Sequence, residues 1–384
     1  MKIKEFLKPS FWKIVSVIIV TMGLISTYLR FSLGLGATTN LKDSVPWGLW
    51  IGFDFIGVGL AAAGFTIAAT VHIFNIHKYE PLVRPAILTA FLGYSVVVCL
   101  LLVDLGRPEN FWHPLVMWNI HSVMFEITWC IICYSTVLLL EFAPVILEKF
   151  NLKAPIKFLK IISIPVVIAG VLFSTLHQSS FGSLYLIVPG KLHPLWYSSL
   201  LPIHFYVSCI AAGLSMIIFE SYLIARSCTK EDGFCNTGLK MNILSGAAFV
   251  VWIALIAGLL LKIYDYVSND KLIYLTIPSM ETSLFYLEIL LGTIIPIYLL
   301  SYKKYREDKK WLYIISICVI SGLILNRLNV SITGLVASSG INYFPSFDEI
   351  SITMMLVVLA IFAFRLIAKN FSVFIGGDSE EAAS

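Results

Sequence analysis

The chain has 384 residues, 58% of them hydrophobic and only 13% charged, with a formal net charge of +4. Soluble domains carry roughly a quarter charged residues, so this composition excludes a water-exposed globule. The small positive excess is mostly the bias of Lys and Arg toward one face, so it is not read as nucleic-acid binding.

Apolar runs of bilayer-spanning length, roughly 20 residues each, recur from one end of the chain to the other. They predict ten helices at about 12–33, 48–74, 86–104, 121–147, 157–179, 200–226, 240–263, 281–302, 311–333 and 349–368. The first run, Phe11 to Phe31, is longer than a secretory h-region and has no clear small-residue cleavage site, so it is read as a helix. Basic residues sort by side. Arg30, Lys42, Arg107, Lys191, Lys262, Lys271 and Arg327 fall toward one face, and the other 20 of the 27 Lys and Arg residues toward the face that carries both termini. Lys and Arg are retained in the cytoplasm during insertion, so a cytoplasmic (inner) membrane protein with both termini cytoplasmic is expected.

The expected architecture is all-α: an N-terminal helix within 1–34, a four-helix bundle of helices 2–5 over 46–180, a second of helices 6–9 over 194–335, a C-terminal helix at 348–370 and a cytoplasmic tail at 371–384. The two bundles are suggested by a weak parallel repeat. Pro46 and Trp47 precede the second helix with its Ala61, Ala62, Ala63 and Gly64, and Pro194 and Trp196 precede the sixth with Ala211, Ala212 and Gly213. Small residues of this kind let membrane helices approach closely. The outer loops 40–50, 106–119, 189–202 and 326–348 are longer than the inner ones and rich in Pro, Trp and Gly, which points to function on the outer side. Of the seven cysteines, Cys130 and Cys133 form one CxxC, too few thiolates for an iron-sulfur cluster, and Cys228 and Cys235 sit in an inner loop where disulfides are disfavoured.

Ionisable residues within membrane helices are costly and often mark a substrate or proton route. Here they gather at the outer ends of helices two to five. Asp54 lies about two turns into helix two, Asp104 and Arg107 close helix three, His121 opens helix four with Glu126 beneath it, and His177 lies near the end of helix five. At about 1.5 Å per residue, Asp54 and Glu126 reach similar depths, on the order of 8 to 9 Å below the boundary. A quinone needs a slot for its ring, polar partners for its carbonyl oxygens and groups that exchange two protons as two electrons move. Histidine and buried carboxylates can exchange them. His121 and Asp54 are the candidate head-group partners, Glu126 the candidate proton acceptor, and Trp118, Asn119 and His177 further candidates for quinone binding. Asp104 and Arg107 are expected to pair and order the loop. Glu126, Glu220 and Glu288 are candidates for a proton path.

Three other readings stay open on the residues alone. His121, His177 and His204 all lie near outer helix ends and could between them supply one bis-histidine haem b. A transporter would also bury charge, though it typically shows inverted repeats and broken helices. A non-catalytic anchor or proton-conducting module is the third.

The stretches "PWGLWIGFDFIGVGLAAAGF" (46–65), "DLGRPENFWHPLVMWNIHSVMFEITWC" (104–130), "LHQSSFGSLYLI" (176–187), "KLHPLWYSSLLPIHFYVSCIAAGLSM" (191–216), "NRLNVSITG" (326–334) and "YFPSFDEISIT" (343–353) resemble the NrfD and polysulfide-reductase membrane-subunit family. The resemblance runs from about residue 10 to 370 and is nearest to the ten-helix, HybB-type hydrogenase branch. It implies two four-helix bundles and a quinone site, for menaquinone or ubiquinone, in the first bundle near the periplasmic face. It also implies that the chain itself holds no haem or cluster. Electrons would pass to or from a periplasmic, ferredoxin-like iron-sulfur subunit, with nickel-iron hydrogenase large and small subunits upstream. Related membrane subunits serve polysulfide and other molybdopterin reductases or multihaem cytochromes.

Overall fold

The computed structural model describes residues 11–227, 241–371 and 373. Cys228, Cys235, Lys230, Lys240 and nearly all of the expected tail lie outside these residues. Among the described residues, ten helices are long and apolar enough to span a bilayer: α1 Phe11–Leu33, α2 Leu49–His72, α3 His77–Asp104, α4 Val123–Lys149, α5 Lys153–Leu186, α6 Leu201–Arg226, α7 Met241–Ser268, α8 Met280–Ser301, α9 Lys309–Ser339 and α10 Phe347–Asn370. Only helices or closed barrels satisfy every backbone group in hydrocarbon, and the sole β pairing among the described residues is one bridge between Lys42 and Val45.

Side chains finish what the backbone leaves open. Ser122, Ser279, Asp308 and Ser346 cap the starts of α4, α8, α9 and α10, and Ser346 forms a reciprocal capping box with Glu349. Within the helices Thr66, Thr70, Ser95 and Thr128 donate to the carbonyl four residues back, so their hydroxyls cost little in an apolar setting. Apolar side chains such as Val17, Leu24, Ile161, Leu172 and Leu260 remain exposed, as the lipid-facing surface of a membrane protein requires.

The two expected groups, α2 to α5 and α6 to α9, share their buried cores, with α6 packed on both α2 and α5, and α1 pairs with α10. The two groups are fused where the repeated small residues meet. A Cβ on Gly213 of α6 would stand 2.5 Å from the backbone nitrogen of Ala63 in α2, so only glycine permits this approach. In the second group Gly292 of α8 and Gly322 of α9 press Cα against backbone in the same way.

Several helices depart from the sequence expectation: α3 begins at His77 rather than 86, α9 runs to Ser339 rather than 333, and α5 and α2 differ as follows. α5 was expected over 157–179 but runs from Lys153 to Leu186. At 1.5 Å per residue it is about 50 Å long and stands clear of a roughly 30 Å hydrocarbon core. Its ends carry Lys153, Lys157 and Lys160 on one side and a serine-rich turn on the other, which hydropathy alone trims away. α2 is interrupted at Ala61 and Ala62, where the amide of Ala62 bonds to Gly59 rather than to Val58. The carbonyl of Val58 is thereby released from the helix. α8 and α9 each contain a π turn, at Leu290–Ile294 and Asn329–Thr333, a feature frequent at functional sites.

Candidate functional site

The face of α2 that carries Gly57, Ala61 and Gly64 lies against Val97, Gly93 and Ala90 of α3, and Phe55 packs its ring on Phe181 and Tyr185 of α5. Helical periodicity brings Asp54 out between these two contacts, toward the interior of the first group. Its residue is 1% exposed, and neither carboxylate oxygen has a hydrogen-bond partner among the described residues. The indole nitrogen of Trp50, one turn toward the helix start, is also unpartnered. Leaving such groups buried and unpaired costs folding free energy.

Asp54 has Asp104 as an electrostatic neighbour, and Asp104 in turn senses Arg30 and Glu349. Arg30 is buried and donates from Nε to the carbonyl of Val103 at 2.8 Å and from Nη2 to that of Leu105 at 2.6 Å, closing the end of α3. Glu349 accepts from the amides of Asn40 at 3.1 Å and Ser346 at 2.8 Å and from the hydroxyl of Tyr343, tying α10 to the loop before α2. Burial and the Glu349 carboxylate raise the Tyr343 phenol, so this hydroxyl stays a donor. The expected pairing of Asp104 with Arg107 is corrected here: Arg107 is exposed and forms no ion pair among the described residues, and Arg30 takes its place.

His177 is fully buried, with Nδ1 2.8 Å from the hydroxyl of Tyr94 and Nε2 unpartnered. One turn further along α5, Ser180 donates to Glu126 Oε1 at 2.7 Å. Gln178 donates to the carbonyl of Val58 at 2.9 Å, the group released by the break in α2, and accepts from the thiol of Cys209 at 2.7 Å. Membrane helices commonly repair an interruption through such a neighbouring side chain. His121, Trp118 and Asn119 lie exposed on the turn before α4. There Trp118 packs on Phe125 and Trp129, and Trp129 donates to the carbonyl of Pro114 at 3.1 Å. The structure thus joins Asp54 to Asp104 and Glu126 to Ser180 but leaves His121 apart from Asp54.

The second group contains a cavity of about 110 Å³ lined by His204, Lys262, Asp265, Glu288 and Asn326 among others. Its acids are saturated. Glu288 accepts from Trp196 at 2.9 Å, Asn326 at 2.9 Å, Asn329 at 3.0 Å and Lys262 at 3.1 Å. Asp265 accepts from Ser198 at 2.8 Å and Lys271 at 2.6 Å. Arg327 is held by Asn326 and Ser208 with its guanidinium 3.6 Å from the ring centre of Phe205. Glu220 accepts from Thr89 at 2.6 Å. Glu126, Glu220 and Glu288 share no partner, so the structure does not link them into one path. Sequence reasoning missed Arg30, Tyr94 and Gln178 as partners of the site; only the depth at which Arg30 and Tyr94 lie in their helices gave a signal.

Comparison with known proteins gives a match to the family model described as polysulphide reductase, NrfD, over residues 37–338. The chain is similar to a protein of Nitratidesulfovibrio vulgaris strain Hildenborough, at 37% identity over 96% of this chain and 95% of that one. It is similar to the probable Ni/Fe-hydrogenase 2 b-type cytochrome subunit of Escherichia coli K12, at 32% identity over 92% of this chain and 89% of the relative. It also resembles the menaquinone reductase integral membrane subunit of the same Nitratidesulfovibrio strain, at 26% identity over 92% and 88%.

Proposed function

Because the chain belongs to the polysulphide reductase NrfD family of integral membrane proteins, we propose that it is the quinone-reactive subunit of a respiratory oxidoreductase complex, exchanging electrons between membrane quinone and a periplasmic iron-sulfur subunit. The observation that carries this reading is the orphaned carboxylate of Asp54 on α2, one helical turn from the unpartnered indole of Trp50, which is buried against α3 and α10. One quinone takes up two electrons and two protons to become one quinol. Asp54 would hold or deliver a proton at one quinone oxygen, Trp50 Nε1 would donate to an oxygen, and the aromatic face of Phe55 and Phe181 would flank the ring. His121 and Asn119, on the exposed turn, would complete the head-group contacts when the substrate enters, with Trp118 at the mouth. The relative named as a menaquinone reductase subunit supports menaquinone as substrate, and the one named as a hydrogenase subunit supports nickel-iron hydrogenase subunits upstream.

The membrane would be the cytoplasmic one, with both termini inside, as the basic bias of the loops requires. The name of the hydrogenase relative, a b-type cytochrome subunit, favours a second reading in which the chain carries haem b. Purifying the assembled complex through this chain separates the two. Hydrogen-dependent reduction of 2,3-dimethyl-1,4-naphthoquinone, with no haem absorption bands after dithionite reduction, is the expected result. Haem bands at one per chain would favour the second reading, and quinone reduction without hydrogen dependence would replace the hydrogenase by another donor.

A further inference from the structure

On the side of the molecule that carries the termini, a cavity of about 610 Å³ opens among the ends of α2, α3, α4 and α5. Its interior is apolar. Leu159, Ile162 and Val166 follow one another at helical spacing along α5 and line it together with Leu140 and Pro144 of α4 and Ile87 of α3. The neighbouring α5 positions Phe158, Ile161 and Ile164 belong to the exposed apolar surface, so the cavity borders the hydrocarbon. A further wall is Val373, beyond the end of α10, which is 1% exposed and belongs to the same buried core as Val83, Val145 and Ile243.

The rim is charged, and mostly positive: His72, His77, Lys78, Arg84 and Lys160 stand there against Glu80. Arg84 is held by both oxygens of Glu148 at 2.8 Å, and His77 lies 3.9 Å from Glu80. Lys78 donates to the amide oxygen of Asn242 at 3.2 Å, and neither it nor Lys160 makes an ion pair among the described residues. One more acid, Glu141, lines the cavity two turns of α4 inward from Glu148, about 10 Å deeper. An anion is therefore repelled at depth and drawn to the rim.

This two-ended polarity selects the ligand. An apolar void left empty forfeits the packing of its lining and is poorly filled by water, and the volume is that of a small-molecule site. A small anion would use the lysines but not the wall, and a quinone the wall but not the lysines. A phospholipid uses both. Basic pockets between membrane helices are known to take the headgroups of anionic lipids.

We propose that this cavity binds one anionic phospholipid, with its phosphate held by Lys78 and Lys160 and an acyl chain laid along Leu159, Ile162 and Val166. The lipid joins α3, α4 and α5 on the side opposite Asp54 and adds to the Arg84–Glu148 pair there. The inference goes beyond the functional reading above and stands whether or not Asp54 serves a quinone.

The test uses the full chain in detergent with a phosphatidylglycerol that carries a photoactivated diazirine on one acyl chain, followed by peptide mapping. Label is expected on the 140–148 and 159–167 segments, displaced by unlabelled phosphatidylglycerol at a concentration about tenfold lower than phosphatidylcholine requires. Lys78→Gln combined with Lys160→Gln, at two exposed positions that folding does not depend on, should remove that preference and leave displacement by phosphatidylcholine unchanged. Val166→Trp, which fills the apolar interior, should reduce the label on both segments. Equal displacement by the two lipids, a double variant that still prefers phosphatidylglycerol, or full labelling of Val166→Trp would overturn the inference, as would label spread over the lipid-facing helices instead of these segments. Displacement by inorganic phosphate alone would make the cavity a small-anion site and overturn it too. Label that appears only after removal of residues 374–384, which include Asp378, Glu380 and Glu381, would assign the cavity to the chain's own acidic end and overturn it in the same way.

Discussion

Replacing Asp54 by asparagine is expected to lower quinone turnover about a hundredfold or more while leaving the assembled protein at least as heat-stable as wild type. The two effects share one cause. In the structure the carboxylate is buried with both oxygens unpartnered and with Asp104 as its electrostatic neighbour, so an uncharged isostere removes a folding cost. The same change takes away the group that holds a proton beside the quinone oxygen. Opposed effects on stability and activity are the signature of a group retained for chemistry rather than packing. Turnover of the complex and its thermal midpoint in detergent check the pair. A variant that loses both together would mark Asp54 as a packing residue.

Glu288 should behave in the opposite sense. Its four neighbours, Trp196, Asn326, Asn329 and Lys262, all donate. Glutamine keeps the shape but sets an amide NH₂ among those donors and leaves Lys262 without its counter-charge. Breaking a buried pair in this way costs about 3–5 kcal/mol, and the Lys262 side chain, partly exposed, brings the expectation to the lower end. Glu288→Gln is therefore expected to lower the thermal midpoint strongly, with turnover per folded molecule close to wild type. The contrast separates the two sites: the acids of the second-group cavity are saturated, and Asp54 is not.

Much of this was legible in the sequence because lipid leaves few choices. Ten apolar runs predict ten helices, and ten helices of spanning length are present among the described residues. The small residues of the repeat, Ala62 and Ala63 with Gly213, forecast close helix approach, and the structure places that approach between α2 and α6, joining the two groups. What stayed hidden is long-range. Arg107 is close to Asp104 in sequence and was the natural partner to expect, yet Arg30, about 75 positions from the α3 end it closes, is the cation that reaches it. Tyr94 meets His177 across 83 positions, a pairing that no local pattern encodes. The break in α2 contains neither Pro nor an exposed polar residue, so only the rerouted amide of Ala62 and the answering Gln178 reveal it.

The central claim is that quinone reacts in the outer part of the first helix group, and the cavity of the second group is its direct geometric rival. Photolabelling the assembled complex with an azidoquinone, followed by peptide mapping, compares them in one experiment. Label on the 49–60 segment of α2 and on the 118–134 segment leading into α4, displaced by excess menaquinone, is the expected result. Displaceable label confined to the segments around His204 and Lys262 would contradict the claim and move the reaction to the second group.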